Sequence, residues 1–276
     1  MSSVINPVET PRPVTPLGIL VEHLEAAVEM AREAKVATPV IEKMLSALNL
    51  AAGIDPYIEA CTTTESPALN AIAQKTQSQK WGEKFFDGTT GRKLEQEMLS
   101  GHLEGQALKM FVCISRAQSI LDIGMFTGYS ALAMAEAMPE NGRLVACEVD
   151  AYVAEFAKNL FQASPHGAKI QVEIGGALET LDKLAARGES FDLAFIDADK
   201  KEYVQYYQKL LDSNLLSPQG FICVDNTLLQ GQPYLSGQRS ANGEAIAQFN
   251  RMVADDPRTE QVLLPIRDGL TIIRRA

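Results

Sequence analysis

The sequence is most informative first in what it lacks. No apolar run approaches the ~20 residues that span a bilayer, so a helical membrane protein is not expected. The start, MSSVINPVETPRPVTP, has no basic segment followed by an apolar core, so no signal peptide is expected. The four cysteines (61, 113, 147, 223) show no paired spacing. Cys147 and Cys223 fall inside apolar runs and read as buried thiols, which suits a reducing cytoplasm. Positive charge is also short: 25 Lys and Arg against 35 Asp and Glu leave a net charge of −10. Such a surface repels nucleic acid and anionic membrane, but not a cationic small ligand. There is no internal repeat, and no G-x-G-x-x-G dinucleotide fingerprint.

What is present is an ordinary globular composition, 46% hydrophobic and 22% charged. The rhythm changes near residue 118. Prolines at 7, 11, 13 and 16 suggest an extended arm over residues 1–17. Residues 18–117 carry helical signals only. Leu17, Leu20, Val21, Leu24, Val28 and Ala31 recur at helical spacing, and PVIEKMLSALNL reads as a second helix. Ser66-Pro67 reads as an N-cap followed by a first-turn proline. Residues 90–117 suggest two helices broken around Gly101 to Gly105.

Over 118–276 short apolar runs alternate with helical patterns: SILDIG, RLVACEV, KIQVEIG, FDLAFID and GFICVDN. This pattern predicts an α/β fold with a mostly parallel sheet covered on both faces. At the end TEQVLLPI and LTIIRR flank the short turn RDG, a hairpin that places one antiparallel strand on the sheet.

Ligands of open α/β sheets bind beyond the carboxyl ends of the strands. The first such end, DIGMFTGYS, brings Asp122, Gly124, Thr127, Gly128, Tyr129 and Ser130. It is either a close-approach glycine loop or a plain strand-to-helix turn. The second strand ends at Glu148, an acid placed to meet ribose hydroxyls. The third runs into Gly175-Gly176-Ala177, small enough for a flat ring or merely a helix entry. The fourth and fifth supply Asp197, Asp225 and Asn226, hard oxygen ligands with no His or Cys beside them, which suits magnesium. Capping of the following helices is the plainer alternative for the two acids. Lys200 follows Asp197 by three residues. A neighbouring cation and apolar walls could depress its pKa and make it a base; otherwise it is a solvated surface lysine.

At this point the segments ILDIGMFTGYSALAMAEAMPENGRL, FIDADKKEY and CVDNTL resemble the cation-dependent O-methyltransferases of the caffeoyl-CoA and catechol type. AAGIDPYIEACTTTES, LEQEMLSGHLEGQALKMF and ANGEAIAQFNR extend a closer resemblance to the cyanobacterial O-methyltransferases of mycosporine-like amino acid biosynthesis, which convert demethyl-4-deoxygadusol to 4-deoxygadusol. The resemblance implies a Rossmann-like, class I S-adenosylmethionine-dependent methyltransferase core with an N-terminal helical cap. It implies S-adenosylmethionine and a divalent cation, expected to be Mg, as cofactors. By this resemblance the cofactor-binding set is Met98, Ser100, Asp122, Gly124, Thr127, Ser130, Glu148, Ala177 and Asp197. The metal set is Asp197, Asp225 and Asn226, and the catalytic pair is Asp197 and Lys200. Asp122 stands where many relatives have Glu, and Glu148 where plant relatives have Asp. His102 inherits no role and reads as structural.

The expected reaction is methylation of one hydroxyl of a small ring bearing two adjacent oxygens. Catechol or caffeoyl methylation is the alternative within the same chemistry. A nicotinamide dehydrogenase and a non-catalytic nucleoside-binding protein are the rivals from other classes. Leu228 to Asn242 and the helical region are expected to cover the site, and Trp81, Phe85 and Phe86 read as lid, core or subunit interface. A small-molecule substrate is the expected partner, and a homodimer is left open.

Overall fold

The structure, a computed structural model, describes residues 12–276. Most of the arm expected over 1–17 therefore lies outside the described residues. Six helices come first: α1 (Pro16–Glu33), α2 (Thr38–Ala52), α3 (Ile54–Cys61), α4 (Pro67–Ser78), α5 (Trp81–Phe86) and α6 (Gly101–Ser115). The caps explain two of the starts. Thr15 accepts from the Gly18 amide at 3.1 Å, and Ser66 from the Leu69 amide at 3.2 Å, each before a first-turn proline.

One expectation fails here. Residues 90–117 hold a 3-10 turn (Gln96–Met98) and a single helix, α6, rather than two helices. Gly101 starts α6 at φ +76°, but Gly105 lies inside it. A Cβ at Gly105 would stand 2.6 Å from the Tyr129 ring, so this glycine permits close helix packing instead of breaking the helix.

The rest alternates: β1 (Ser119–Ile123), α7 (Tyr129–Ala137), β2 (Arg143–Glu148), α8 (Ala151–Phe161), β3 (Ile170–Ile174), α9 (Ala177–Ala186), β4 (Phe191–Ile196), α10 (Tyr203–Asp212), β5 (Leu216–Val224), α11 (Ala241–Asp255), β6 (Thr259–Leu264) and β7 (Leu270–Arg275). The sheet order is β3-β2-β1-β4-β5-β7-β6. The first five strands pair in parallel, and β7 slots antiparallel between β5 and β6. The hairpin expectation holds, and the single reversed strand is interior to the sheet.

Strand alternation splits the core between the two faces. Leu121, Ile123, Ala194, Ile196, Ile222 and Val224 pack toward α9, α10 and α11. Ile120, Leu193, Phe195 and Cys223 pack toward α4, α6 and α7. By the same alternation Asp122 belongs to the α7 face. Helix α7 is buried all round from Tyr129 to Ala135, which explains its apolar composition. Trp81 settles into a small core with Leu94 and Val153, 5.2 Å from the Phe126 ring, while Phe86 is exposed. No described helix is long and apolar enough to cross a membrane.

Candidate active site

A cleft of about 890 Å³ opens beyond the carboxyl ends of the parallel strands. Of the predicted residues it is lined by Met98, Ser100, Gly124, Glu148, Ala177, Asp197, Lys200, Asp225 and Asn226. One half is built by the ends of β1, β2 and β3. Gly124 sits at φ +101°, where a Cβ would come within 2.1 Å of the Asp197 carbonyl, so glycine is required where the β1 and β4 loops cross. Glu148 is held from both sides: one carboxylate oxygen accepts from the Phe126 amide and the other from the Asp150 amide, each at 2.9 Å. Burial raises its carboxyl, and these two N–H groups oppose the rise. Gly175, at φ +134°, faces open space, so its missing side chain leaves room against the cleft wall.

Three predicted cofactor residues lie beneath this half and not on its lining. Asp122, Thr127 and Ser130 are all buried. Ser130 donates to Asp122 at 2.9 Å, and Thr127 pairs with Thr76 at 2.8 Å. The other Asp122 oxygen is buried without a partner. Burial pushes the Asp122 carboxyl up to about 7. Gly128 serves packing: a Cβ there would strike the Phe161 ring at 2.3 Å.

The other half is built by β4, β5 and segments far away in sequence. The Asp197 amide donates to Ile123 and the Asp225 amide to Ile196, both at 2.9 Å, which fixes the two acids side by side on adjacent strands. Neither caps a helix. Asp199 caps the following turn through Lys201, and Asp225 accepts from the next amide, Asn226, at 2.6 Å. Asn226 adopts φ +59°, a left-handed conformation that Asn tolerates well. Burial, then the nearby Asp197 charge, pushes the Asp225 carboxyl up to about 7. Lys200 reaches Asp197 at 2.7 Å and lies over the Tyr203 ring at 5.1 Å. Burial alone would lower the Lys200 ammonium, but Asp197 and Asp225 hold it above the usual lysine range. Paired with Asp197, Lys200 is held as a charged donor; the depression expected of it was for a cation alongside.

Sequence reasoning missed three side chains in this half. Arg267 and Asp268, read only as a hairpin turn, line the cleft. The Arg267 guanidinium donates to the Ser100 carbonyl, and Asp268 accepts from the Gln230 amide at 2.6 Å. Glu104, on α6, is 1% exposed and lies 3.9 Å from Arg267. Its burial beside Asp225 drives its carboxyl well up. No local motif marks these residues; only the completed fold brings them together. His102 stays outside the cleft, with its ring nitrogens 2.5 Å from Glu59 and 2.7 Å from the Thr63 carbonyl, as a structural tie between α6 and α3.

Among the described residues, no group of three or more His, Cys, Asp or Glu side chains is placed to hold a metal. The Asp197, Asp225 and Asn226 set is a different kind: two carboxylates and one amide. Its two adjacent carboxylates, Asp225 buried and Asp197 half-buried, with the Lys200 ammonium against Asp197, fit a small hard cation.

Residues 76–276 match the sequence profile of the O-methyltransferase family. The chain belongs to the O-methyltransferase family. The mouse catechol O-methyltransferase domain-containing protein 1 is 34% identical over 218 residues, 78% of this chain and 77% of that protein. The caffeoyl-CoA O-methyltransferase of Petroselinum crispum is 35% identical over 181 residues, 62% of this chain and 74% of that one. Among solved structures, the SAH-bound Podospora anserina methyltransferase superposes with TM-score 0.70 at 26% identity, over 83% of this chain and 96% of that one. The SAM-bound Streptomyces achromogenes O-methyltransferase TomG gives 0.67 at 26% identity, over 81% and 96%. The fold of this O-methyltransferase is thus the Rossmann-like class I methyltransferase fold, with helices added at the N-terminus.

Proposed function

We propose that the chain transfers a methyl group from S-adenosylmethionine to one hydroxyl of a small ring with two adjacent oxygens, with help from a divalent cation. The observation that carries this reading is the meeting of Asp197, Lys200, Asp225 and Asn226 in the same cleft as Gly124, Glu148 and Gly175. The acidic cleft suits a sulfonium donor. Glu148, oriented by two backbone amides, offers its remaining lone pairs to ribose hydroxyls. Gly124 and Gly175 let the donor lie close to the backbone. Asp122, with one buried oxygen unpaired, lies beneath this half.

Asp197, Asp225 and Asn226 would hold the cation. When bound, the cation supplies Lewis acidity, which lowers the pKa of a chelated hydroxyl and fixes two neighbouring oxygens. Lys200 directs its ammonium at the oxyanion so formed and stabilises it. The oxygen attacks the methyl carbon as the carbon–sulfur bond breaks; the products are the methyl ether, S-adenosylhomocysteine and one proton released to solvent. The walls of the cleft hold the partners in line and limit water.

Demethyl-4-deoxygadusol is the acceptor we favour. Support comes from the resemblance of the segments around α3, α6 and α11 to the mycosporine-pathway enzymes. The α1–α4 region, most of it before the matched profile, also leads from Arg12, Val14 and Thr15 on the cleft lining. The named relatives favour a second reading with the same site chemistry, methylation of a catechol or caffeoyl compound. Competition between demethyl-4-deoxygadusol, caffeoyl-CoA and a matched mono-hydroxy compound, read by mass spectrometry with labelled S-adenosylmethionine, separates them. Preferential methylation of the cyclohexenone is the expected result. Preference for caffeoyl-CoA would overturn the acceptor, and efficient methylation of the mono-hydroxy compound would overturn chelation.

A further inference from the structure

Arg267 occupies a position that ordinary turn chemistry does not favour. It adopts φ +51°, a left-handed conformation that is strained for a side chain with a Cβ and easy for glycine. Gly269, two residues on, is also left-handed, so the turn is built where glycine is the easy choice. Space is kept for the Arg267 side chain: at Gly101 a Cβ would stand 2.3 Å from Arg267 Nη1.

The guanidinium is held but not used up. It donates to the Ser100 carbonyl, the one hydrogen bond it makes among the described residues. Glu104 lies behind it at 3.9 Å, beyond hydrogen-bond reach, with its own Oε1 buried and unpartnered. A guanidinium has five N–H donors, so several remain free. The side chain is 27% exposed and borders the cleft. Its charge is felt at Asp225 and Asp268, which places it in the half of the cleft built by β4 and β5. Of the other cations that line the cleft, Lys200 is engaged with Asp197 at 2.7 Å and Arg12, on the arm, with Glu95 at 2.8 Å, while Arg92 and Lys201 are exposed.

We propose that Arg267 is a specificity-determining residue that receives an anionic oxygen group on the acceptor ring, a carboxylate or an enolate, beyond the two oxygens that are activated. The inference rests on the methyl-transfer reading of this cleft and deepens it. Nine carboxylates and five cations line the cleft, so an anionic acceptor would be repelled without a cation to meet it. A planar guanidinium with free donors binds such a group through paired hydrogen bonds, which an ammonium does not reproduce. Ser100 and Glu104 aim it, and the rigid hairpin carries it.

The test uses two diols that differ in the anionic group, 3,4-dihydroxybenzoate and 4-methylcatechol. Calorimetry on the full chain, saturated with S-adenosylhomocysteine and Mg, measures both affinities without turnover. The wild-type chain should prefer the benzoate by about ten-fold, the scale of one charge-assisted contact. Arg267→Gly, which suits the left-handed turn, should bring the ratio near one. Arg267→Lys, which keeps the charge but not the fork, should leave an intermediate ratio. A wild-type ratio near one, or a full preference kept by Arg267→Gly, would overturn the proposal. Labelled S-adenosylmethionine tests the parent reading on the same two compounds. If neither is methylated, that reading fails for simple diols, while the affinity ratio still decides the role of Arg267.

Discussion

The two halves of the cleft are built by different means. The half at β1, β2 and β3 is made chiefly of backbone: left-handed glycines at 124 and 175, and amides that fix Glu148. The half at β4 and β5 is made of side chains: Asp197, Lys200, Asp225 and Asn226, with Arg267, Asp268 and Glu104 drawn in from distant elements. The contrast suits a division of labour. Under the proposed function, a donor of constant structure would be met by backbone and the acceptor by side chains. The halves touch at Gly124, whose missing Cβ lets the Asp197 carbonyl pass.

The largest expected effect breaks the second half alone. Asp225→Asn removes a charge from the proposed cation site and should lower methyl transfer on the order of 100-fold or more. Calorimetric affinity for S-adenosylmethionine should change little by comparison. An equal loss of donor affinity would erase the distinction between the halves. The mirror experiment is Glu148→Ala, which should weaken donor binding by about 1.5–3 kcal/mol, the range for hydrogen bonds to a charged group. Unchanged affinity in that titration would remove Glu148 from the donor site.

The halves also differ in how far the sequence reveals them. The strand ends are legible because buried runs such as FDLAFID and GFICVDN stop abruptly at polar residues. Gly124 and Glu148 follow from their place after β1 and β2. Asp122 is harder. Its motif reads as a ligand contact, but strand alternation turns it toward α7 and Ser130, below the lining. Lys200 shows another limit, because its state depends on a carboxylate 2.7 Å away that spacing alone does not pair with it. Glu104 and Arg267 were not legible. One sits in a helix and the other in a hairpin turn, and their meeting depends on how α6 packs beside β5 and β7. The break expected within 101–105 failed for a related reason, because Gly105 answers to the Tyr129 ring on another helix.

A smaller effect sharpens the account of the buried acid. Asp122 is raised from an ordinary 3.8 to about 7, so the folded chain retains a proton that the unfolded chain has released. Its contribution to stability is full below the unfolded value and is lost as the pH rises through about 7. The ligand-free protein should therefore melt at a lower temperature as the pH is raised from roughly 5 to 8. Asp225, up to about 7, and Asp268, up to about 6, act in the same direction. Asp122→Asn should flatten part of that slope and leave the rest. A slope unaltered by the substitution, in scans across that range, would show that Asp122 does not titrate as its burial implies.

The most direct test compares donor binding and methyl transfer in one preparation stripped of divalent cations, with metal content checked. The account predicts that S-adenosylmethionine still binds, that labelled methyl transfer to a vicinal diol is abolished, and that added Mg restores it. Full transfer after complete removal of metal would contradict the proposed role of Asp197, Asp225 and Asn226.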